Sequence, residues 1–205
     1  MKKNILTKIE TIDFPSAYGK FLLTTYQTKY KDQENMCFAL VIQTPVIPTI
    51  PIVRVQSECL FSEVFSSQSC ECENQLKRSL KLIAKKGGLF FYLDQEGRGH
   101  NIFNKTRELK LQQLGFDTVD ASLHLKLKPD TRSYDVVADI LKRMNIGKIR
   151  LITNNPDKIS SLKRQKINIV ERIILPIKKN EYNYKYLEIK KNKLGHLINL
   201  ESLPK

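Results

Sequence analysis

Two runs between residues 8 and 30 alternate apolar and polar positions, with Pro15-Ser16-Ala17-Tyr18-Gly19 between them. A period of two places successive side chains on opposite faces of a strand, and a break of this composition reverses the chain. The pattern therefore predicts an N-terminal β-hairpin. Phe38-Ala39-Leu40-Val41-Ile42 is a short unbroken apolar run and reads as a buried strand. Pro45, Pro48 and Pro51 then enforce a loop before a second strand, Ile52-Val53-Arg54-Val55. From Glu73 to Lys85 the period lengthens, with Leu76, Leu80, Ile83 and Ala84 at helical spacing, and Gly87-Gly88 stops that helix. Leu89-Phe90-Phe91-Tyr92-Leu93 predicts a strand that delivers Asp94-Gln95-Glu96-Gly97-Arg98-Gly99-His100. Helices are expected from Ile102 to Leu114, closed by Gly115, and from Tyr134 to Met144. A strand over Lys148–Thr153 leads to Asn154-Asn155-Pro156, a helix start with proline in its first turn. Ile167 to Ile174 predicts a further strand, and the tail from Tyr184 to Leu197 a helix. Strands alternate with helices through the second half, so the expected class is α/β: a mixed sheet with packed helices and an N-terminal β-hairpin. With no internal repeat and no Gly/Ser-rich linker, 205 residues suit a single domain over 1–205.

Composition changes the picture mainly through charge. Hydrophobic residues make up 41% of the chain, enough for a sizeable core. Lys and Arg total 35 against 21 acidic residues, a formal net charge of +14 that favours nucleic acid, an anionic membrane or a phosphorylated small molecule as partner. The lysines are dispersed and no nucleic-acid module is evident, so a nucleic-acid partner is not expected. Pairs such as Lys178-Lys179 and Lys190-Lys191 read as solvated basic surface. Met1 to Lys8 starts basic but holds no apolar run and no small-residue cleavage site, and no stretch has the length of an apolar membrane span. The expectation is a cytoplasmic protein with no membrane partner and reduced thiols. Cys37, Cys59, Cys70 and Cys72 are then ligands or core residues rather than disulfides.

Cys59-x10-Cys70-x-Cys72 is the strongest chemical signal. Three soft ligands suit zinc. Three protein ligands leave a position for a water that can lose its proton near neutral pH and attack an electrophilic carbon. A closed structural site completed by Cys37 or a histidine stays open on spacing alone. Ser69-Cys70-Glu71-Cys72-Glu73 is too polar to be plain core. Gln95-Glu96-Gly97-Arg98-Gly99 lies between a predicted strand and a predicted helix, where α/β folds bind ligands. Its glycines let backbone approach a ligand, Arg98 can pair with phosphate, and Glu96 can accept from a guanine edge. It lacks the ending of a P-loop.

These pieces fall in a familiar order: Arg54-Val55-Gln56-Ser57-Glu58-Cys59, Cys70-x-Cys72, Gln95 to Gly99, Asn104-Lys105, Gly115-Phe116-Asp117-Thr118-Val119, Asp130-Thr131-Arg132 and Thr153-Asn154-Asn155-Pro156. From about Pro15 to His196 the chain resembles the GTP cyclohydrolase II family of riboflavin biosynthesis. The resemblance implies zinc on Cys59, Cys70 and Cys72. It implies a nucleotide pocket lined by Arg54, Val55, Gln56, Ser57, Glu58, Gln75, Glu96, Gly97, Arg98, Thr118, Thr153 and Lys158. It makes Asp130 the proton acceptor and Arg132 the nucleophile on the α-phosphate. It also implies hydrolytic opening of the guanine imidazole ring of GTP, with loss of formate and pyrophosphate, Mg²⁺ on the triphosphate, and a homodimer. A guanidinium with a pKa above about 12 is a poor nucleophile, so Arg132 could instead stabilise charge on the α-phosphate, held by Asp130. The dihydroxybutanone phosphate-forming domain of some bifunctional relatives is not expected here.

Three positions depart from the family pattern. Gln56 stands where the family commonly has His, Ser69 where it has Arg, and Leu109 where it carries a catalytic Tyr. Leucine neither donates nor accepts a hydrogen bond, so deformylation is expected to be slow unless Tyr92 or Tyr134 supplies a hydroxyl. Two alternatives follow: a paralogue that stops at the formamidopyrimidine nucleotide or takes another purine nucleotide, and a zinc- and nucleotide-binding protein without catalysis.

Overall fold

The computed structural model describes residues 5–29 and 37–200; the basic start Met1-Lys2-Lys3-Asn4 and residue 30 of the expected hairpin lie outside them. β1 (Ile5–Ser16) and β2 (Gly19–Lys29) pair antiparallel down to Ser16↔Gly19, so Ala17-Tyr18 form the predicted turn. β3 (Cys37–Gln43) pairs with β2, and the proline-broken loop leads to β4 (Ile52–Ser57). A single turn α1 (Leu60–Glu63) precedes α2 (Cys72–Lys86) and β5 (Gly88–Leu93). The short turn α3 (Glu96–Gly99) opens onto α4 (Asn101–Gln113), followed by α5 (Thr118–His124) and α6 (Asp135–Arg143). β6 (Lys148–Ile152), α7 (Pro156–Arg164), β7 (Asn168–Ile173) and α8 (Tyr184–Asn192) complete the order.

The seven strands make one mixed sheet in the order β1-β2-β3-β5-β4-β6-β7. β5, β4, β6 and β7 are mutually parallel, and the hairpin with β3 adds the antiparallel half. Alternation sorts the central side chains. Val53, Val55, Leu89, Phe91 and Leu93 pack beneath Val137, Ile140 and Leu141 of α6. Ile52 and Phe90 face the other way, onto Leu80 and Ile83 of α2. Both faces are thus covered, as parallel strands require, and each such side chain contributes about 1.5–3 kcal/mol by leaving water. A third, small cluster of Ile177, Leu187 and Ile198 seats α8. No helix among the described residues is long and apolar enough to cross a membrane.

The α/β class, the mixed sheet and the hairpin are as expected. Three short helical segments, α1, α3 and α5, were not foreseen. α5 is only seven residues long, too short for periodicity, and is started by Asp117, whose carboxylate accepts from the Val119 and Asp120 N–H groups. The tail helix stops at Asn192, short of Leu197. Gly195 adopts φ 62°, and the Leu197 N–H then donates to the Asn154 carbonyl, folding the end of the tail back over the sheet edge.

Candidate active site

Because β4, β5 and β6 run parallel, their carboxyl ends coincide, and Ser57, Gln95 and Thr153 meet at one edge of the sheet. A cavity of about 380 Å³ opens there, with a smaller compartment of about 80 Å³ beside it. Ser57, Cys72, Arg98, Arg132 and Tyr186 line both.

The three thiols stand on the wall of the larger cavity. Cys59 precedes α1, Cys70 lies in the turn after it and Cys72 opens α2. Their Sγ atoms lie within 4.8 Å of one another, and Cys59 and Cys70 are 3.8 Å apart. Tetrahedral zinc, with Zn–S near 2.3 Å, separates its sulfurs by about 3.8 Å, so the cluster fits such an ion. Hydrogen bonding from Cys59 draws the Cys70 thiol far down, while the same contacts and burial push Cys59 and Cys72 up. Crowded thiols of this kind lose their remaining protons when a cation joins them. Cys37 lies on β3 opposite Thr28 and packs against the core, and no histidine joins the cluster among the described residues. Lys105 stands beside it, with Nζ 3.3 Å from Cys59 Sγ, 2.7 Å from Glu96 Oε1 and 4.8 Å above the Phe61 ring. Burial opposes its charge, but the negative charge of Cys59 and Glu96 raises its pKa above the usual lysine value.

The glycine-rich turn borders the same cavity. Gly97 and Arg98 both take left-handed backbone, φ 58° and 57°. For Arg98 this is a strained conformation, held by the Thr131 N–H and hydroxyl, which both donate to the Arg98 carbonyl. Arg98 Nη1 and Thr118 Oγ1, both from residues lining the cavity, are buried without a protein partner. Glu96 lines the cavity as well. Its oxygens already accept from the Leu60 and Gly97 N–H groups and from Lys105, which leaves little capacity for a guanine edge. Glu58 lines the cavity too, its carboxyl pushed up to about 6 by burial and then by Asp94.

The smaller compartment is cationic. Arg54 donates to Gln56, Gln75 and the Ile152 carbonyl. Gln56 passes the link on, through Nε2, to Glu63 and the Cys72 carbonyl, so this amide ties the arginine to the thiol loop. Lys158 donates to the Val55 carbonyl. Val55 thereby contributes backbone alone, its side chain being core. Arg132 is gripped by both oxygens of Asp130, which lines neither cavity, and its pKa is raised by that partner and by Tyr134 against the effect of burial. Lys190 corrects the surface reading given to its pair. Its side chain is 12% exposed and its Nζ sits 3.1 Å from Glu71 Oε1, whereas Lys191 is exposed. His196 also lines the compartment, and burial with the charges of Lys190, Arg132 and Lys158 holds its pKa down to about 3 from 6.5. An unfolded chain protonates His196 below pH 6.5 and the folded chain resists until about 3, so stability falls as pH drops through that window. His196→Gln should flatten the fall, read as a smaller loss of melting temperature between pH 7 and pH 5.

Leu109 lines the larger cavity, with Glu108, Gln112 and Phe116 beside it. Neither proposed substitute phenol reaches it. Tyr92 donates its hydroxyl to Glu63, and buried Tyr134 carries Lys158 Nζ 5.3 Å over its ring.

A family model for GTP cyclohydrolase II matches residues 7–174. The chain belongs to the GTP cyclohydrolase II family. Among its relatives, the riboflavin biosynthesis protein RibBA of Staphylococcus epidermidis is 42% identical over 187 residues, 91% of this chain and 47% of that protein. GTP cyclohydrolase-2 of Acinetobacter baumannii is 41% identical over 191 residues, 92% of this chain and 94% of that one. RibBA of Aquifex aeolicus is 38% identical over 96% of this chain and 48% of its own length. The chain thus spans about half the length of its RibBA relatives and nearly all of the cyclohydrolase-2 one.

For a member of the GTP cyclohydrolase II family, the residues that the sequence missed are informative. Lys105 was visible as part of Asn104-Lys105 but without a role. Tyr186, Lys190 and His196 lie beyond the matched segment and carry no motif, and only the returning tail brings them to the site.

Proposed function

We propose that this chain hydrolyses GTP at the guanine imidazole ring, releasing formate and pyrophosphate and leaving 2,5-diamino-6-ribosylamino-4(3H)-pyrimidinone 5′-phosphate. The observation that carries this reading is the joining of the three-thiol wall to the cationic compartment through Ser57, Cys72, Arg98 and Arg132. Guanine C8 belongs near the thiols and the phosphates near the cations. Zinc held by Cys59, Cys70 and Cys72 supplies Lewis acidity and a water that ionises near neutral pH. One water opens the imidazole ring to a formamide, a second releases formate, and a third is consumed in cleaving the α–β phosphoanhydride. Lys105 keeps a cation against the cysteine charge. Arg54, Arg98, Lys158 and Mg²⁺ clamp the triphosphate. Arg132, charged and fixed by Asp130, stabilises charge at the α-phosphate rather than attacking it, and Asp130, committed to Arg132, orients that side chain. Gln95, which accepts from the Ser57 hydroxyl and donates to the Ser133 carbonyl, stiffens the junction between the two compartments.

The whole chain is read as one catalytic domain, since the tail completes the pocket of the matched segment. Thiols standing side by side fit a reducing compartment such as the cytoplasm. A homodimer follows from the family resemblance alone and is checked by light scattering.

The deciding experiment gives the purified protein GTP, Mg²⁺ and Zn²⁺, identifies the product by mass spectrometry, and assays formate and pyrophosphate separately. Equal formate and pyrophosphate support the full reaction. Intact GTP overturns it in favour of another purine nucleotide or of binding without turnover. Leu109 on the cavity wall favours a specific second reading, arrest at the formamidopyrimidine nucleotide. Leu109→Tyr is then expected to raise formate release about a hundredfold or more, within the range of positioned acid–base groups. An unchanged formate rate in that variant removes this second reading.

A further inference from the structure

Lys190 reaches the smaller compartment from α8, outside residues 7–174. It is one of five cations lining that compartment, with Arg54, Arg98, Arg132 and Lys158, and Glu71 is the one carboxylate on the lining. The cations are unevenly committed. Asp130 holds Arg132, and Gln56 and Gln75 occupy Arg54, whereas Lys158 has two neutral neighbours, the Val55 carbonyl and the Tyr134 ring. Burial, then Arg54, Arg132 and Lys190, push the Lys158 pKa well below the usual lysine value. Like charges crowded out of water repel, and such an arrangement suits an anion bearing several charges.

The competing interpretation is that Lys190 is a strut fastening α8 to the thiol loop through Glu71. Two observations speak against it. The helix is already seated without it, by Leu187 in the cluster with Ile177 and Ile198 and by the Leu197 N–H bond to Asn154. The Glu71 pairing is also incomplete: Oε1 is shared between Lys190 and Gln75 while Oε2 is buried with no partner. A lysine whose one polar partner is a shared oxygen, with its Nζ 4.6 Å over the Tyr186 ring, can exchange that oxygen for phosphate.

We propose that Lys190 is a polyphosphate-binding residue, leaving Glu71 to contact the phosphates beyond the α-phosphate and completing the cationic lining that Lys158 shares. The inference rests on the reading of the cavity as a nucleoside triphosphate site. Arg132, lining both compartments, marks the α-phosphate position, whereas Lys190 lines the smaller compartment and not the larger cavity.

Inorganic tripolyphosphate tests it directly, by calorimetric titration of the zinc-loaded protein and of Lys190→Gln, Lys190→Arg and Glu71→Gln. Lys190→Gln should weaken binding at least about tenfold, and Lys190→Arg should keep it within about threefold, since charge rather than shape is required. Glu71→Gln removes the competing carboxylate and should bind as tightly as the parent or more so. A strut would behave differently: Glu71→Gln would lose binding as Lys190→Gln does, and that result overturns the proposal. So does a parent protein that ignores tripolyphosphate, or a Lys190→Gln variant that matches it. The GTP assay separates the two readings. Unaltered KM for GTP in Lys190→Gln with full turnover keeps the reaction and rejects this role for Lys190. Lysine-dependent tripolyphosphate binding beside intact GTP keeps the residue and rejects the reaction.

Discussion

Cys70→Ser is expected to empty the metal site and reduce formate release by roughly a thousandfold, the loss of several kcal/mol of metal assistance. The geometry explains why compensation is absent. Cys70 Sγ is 3.8 Å from Cys59 Sγ and within 4.8 Å of Cys72 Sγ, and the remaining cysteine, Cys37, is committed to β3. A serine hydroxyl is a harder, less acidic ligand and leaves two thiols, too few for tight binding. Metal analysis of the purified variant should fall from about one zinc per chain towards zero, with the fold kept, because the loop is also tied by Glu63 to the Cys59 N–H and by Ser62 to Glu73. A variant that retains both zinc and rate would place the metal elsewhere.

Gly88→Ala should be the most destabilising single methyl in the chain. Gly88 opens β5 opposite Ile52 of β4 with φ 156°, and a Cβ there would stand 2.0 Å from the Ile52 carbonyl oxygen and 2.9 Å from its carbon. Backbone, not a flexible side-chain end, is what it meets, so relief requires parting the central parallel pair. A cost of about 3 kcal/mol or more is expected from forced overlap combined with an unfavourable backbone region. For a chain of this size that lowers the melting temperature by roughly 6–12 °C. Gly115→Ala is the control, since a Cβ there meets nothing within 4 Å and only its φ of 101° is at stake. Equal melting temperatures for the two variants would refute the steric account.

What could be read from the sequence and what could not divide along physical lines. Phe38–Ile42 and Leu89–Leu93 were legible as strands because burial on both faces demands unbroken apolar runs. The thiols were legible because two of them sit one residue apart in a polar segment that no core would accept. Asp130 and Arg132 were legible as a pair because two residues of extended chain bring them within reach of each other. The protein partners of Glu96 were not legible: its engagement by the Leu60 N–H and Lys105 depends on contacts over 36 and 9 residues that no local pattern encodes. Lys190 was misread as surface and His196 was overlooked for the same reason, since their environment is set by Glu71, Arg132 and Lys158 across the whole fold.

The return of the tail, sealed by the Leu197 N–H on the Asn154 carbonyl, also imposes an order of events on the ribosome. Arg54 and residues 59–72 are made early, and Arg98, Arg132 and Lys158 follow. Lys190 and His196 are synthesised after all of these, at about 5–20 residues per second. A nascent chain therefore has its thiols available to capture an ion while the phosphate side still lacks its final wall. The protein is expected to acquire its metal before it can grip a nucleotide, and a chain cut short after β7 would hold zinc yet bind triphosphate poorly.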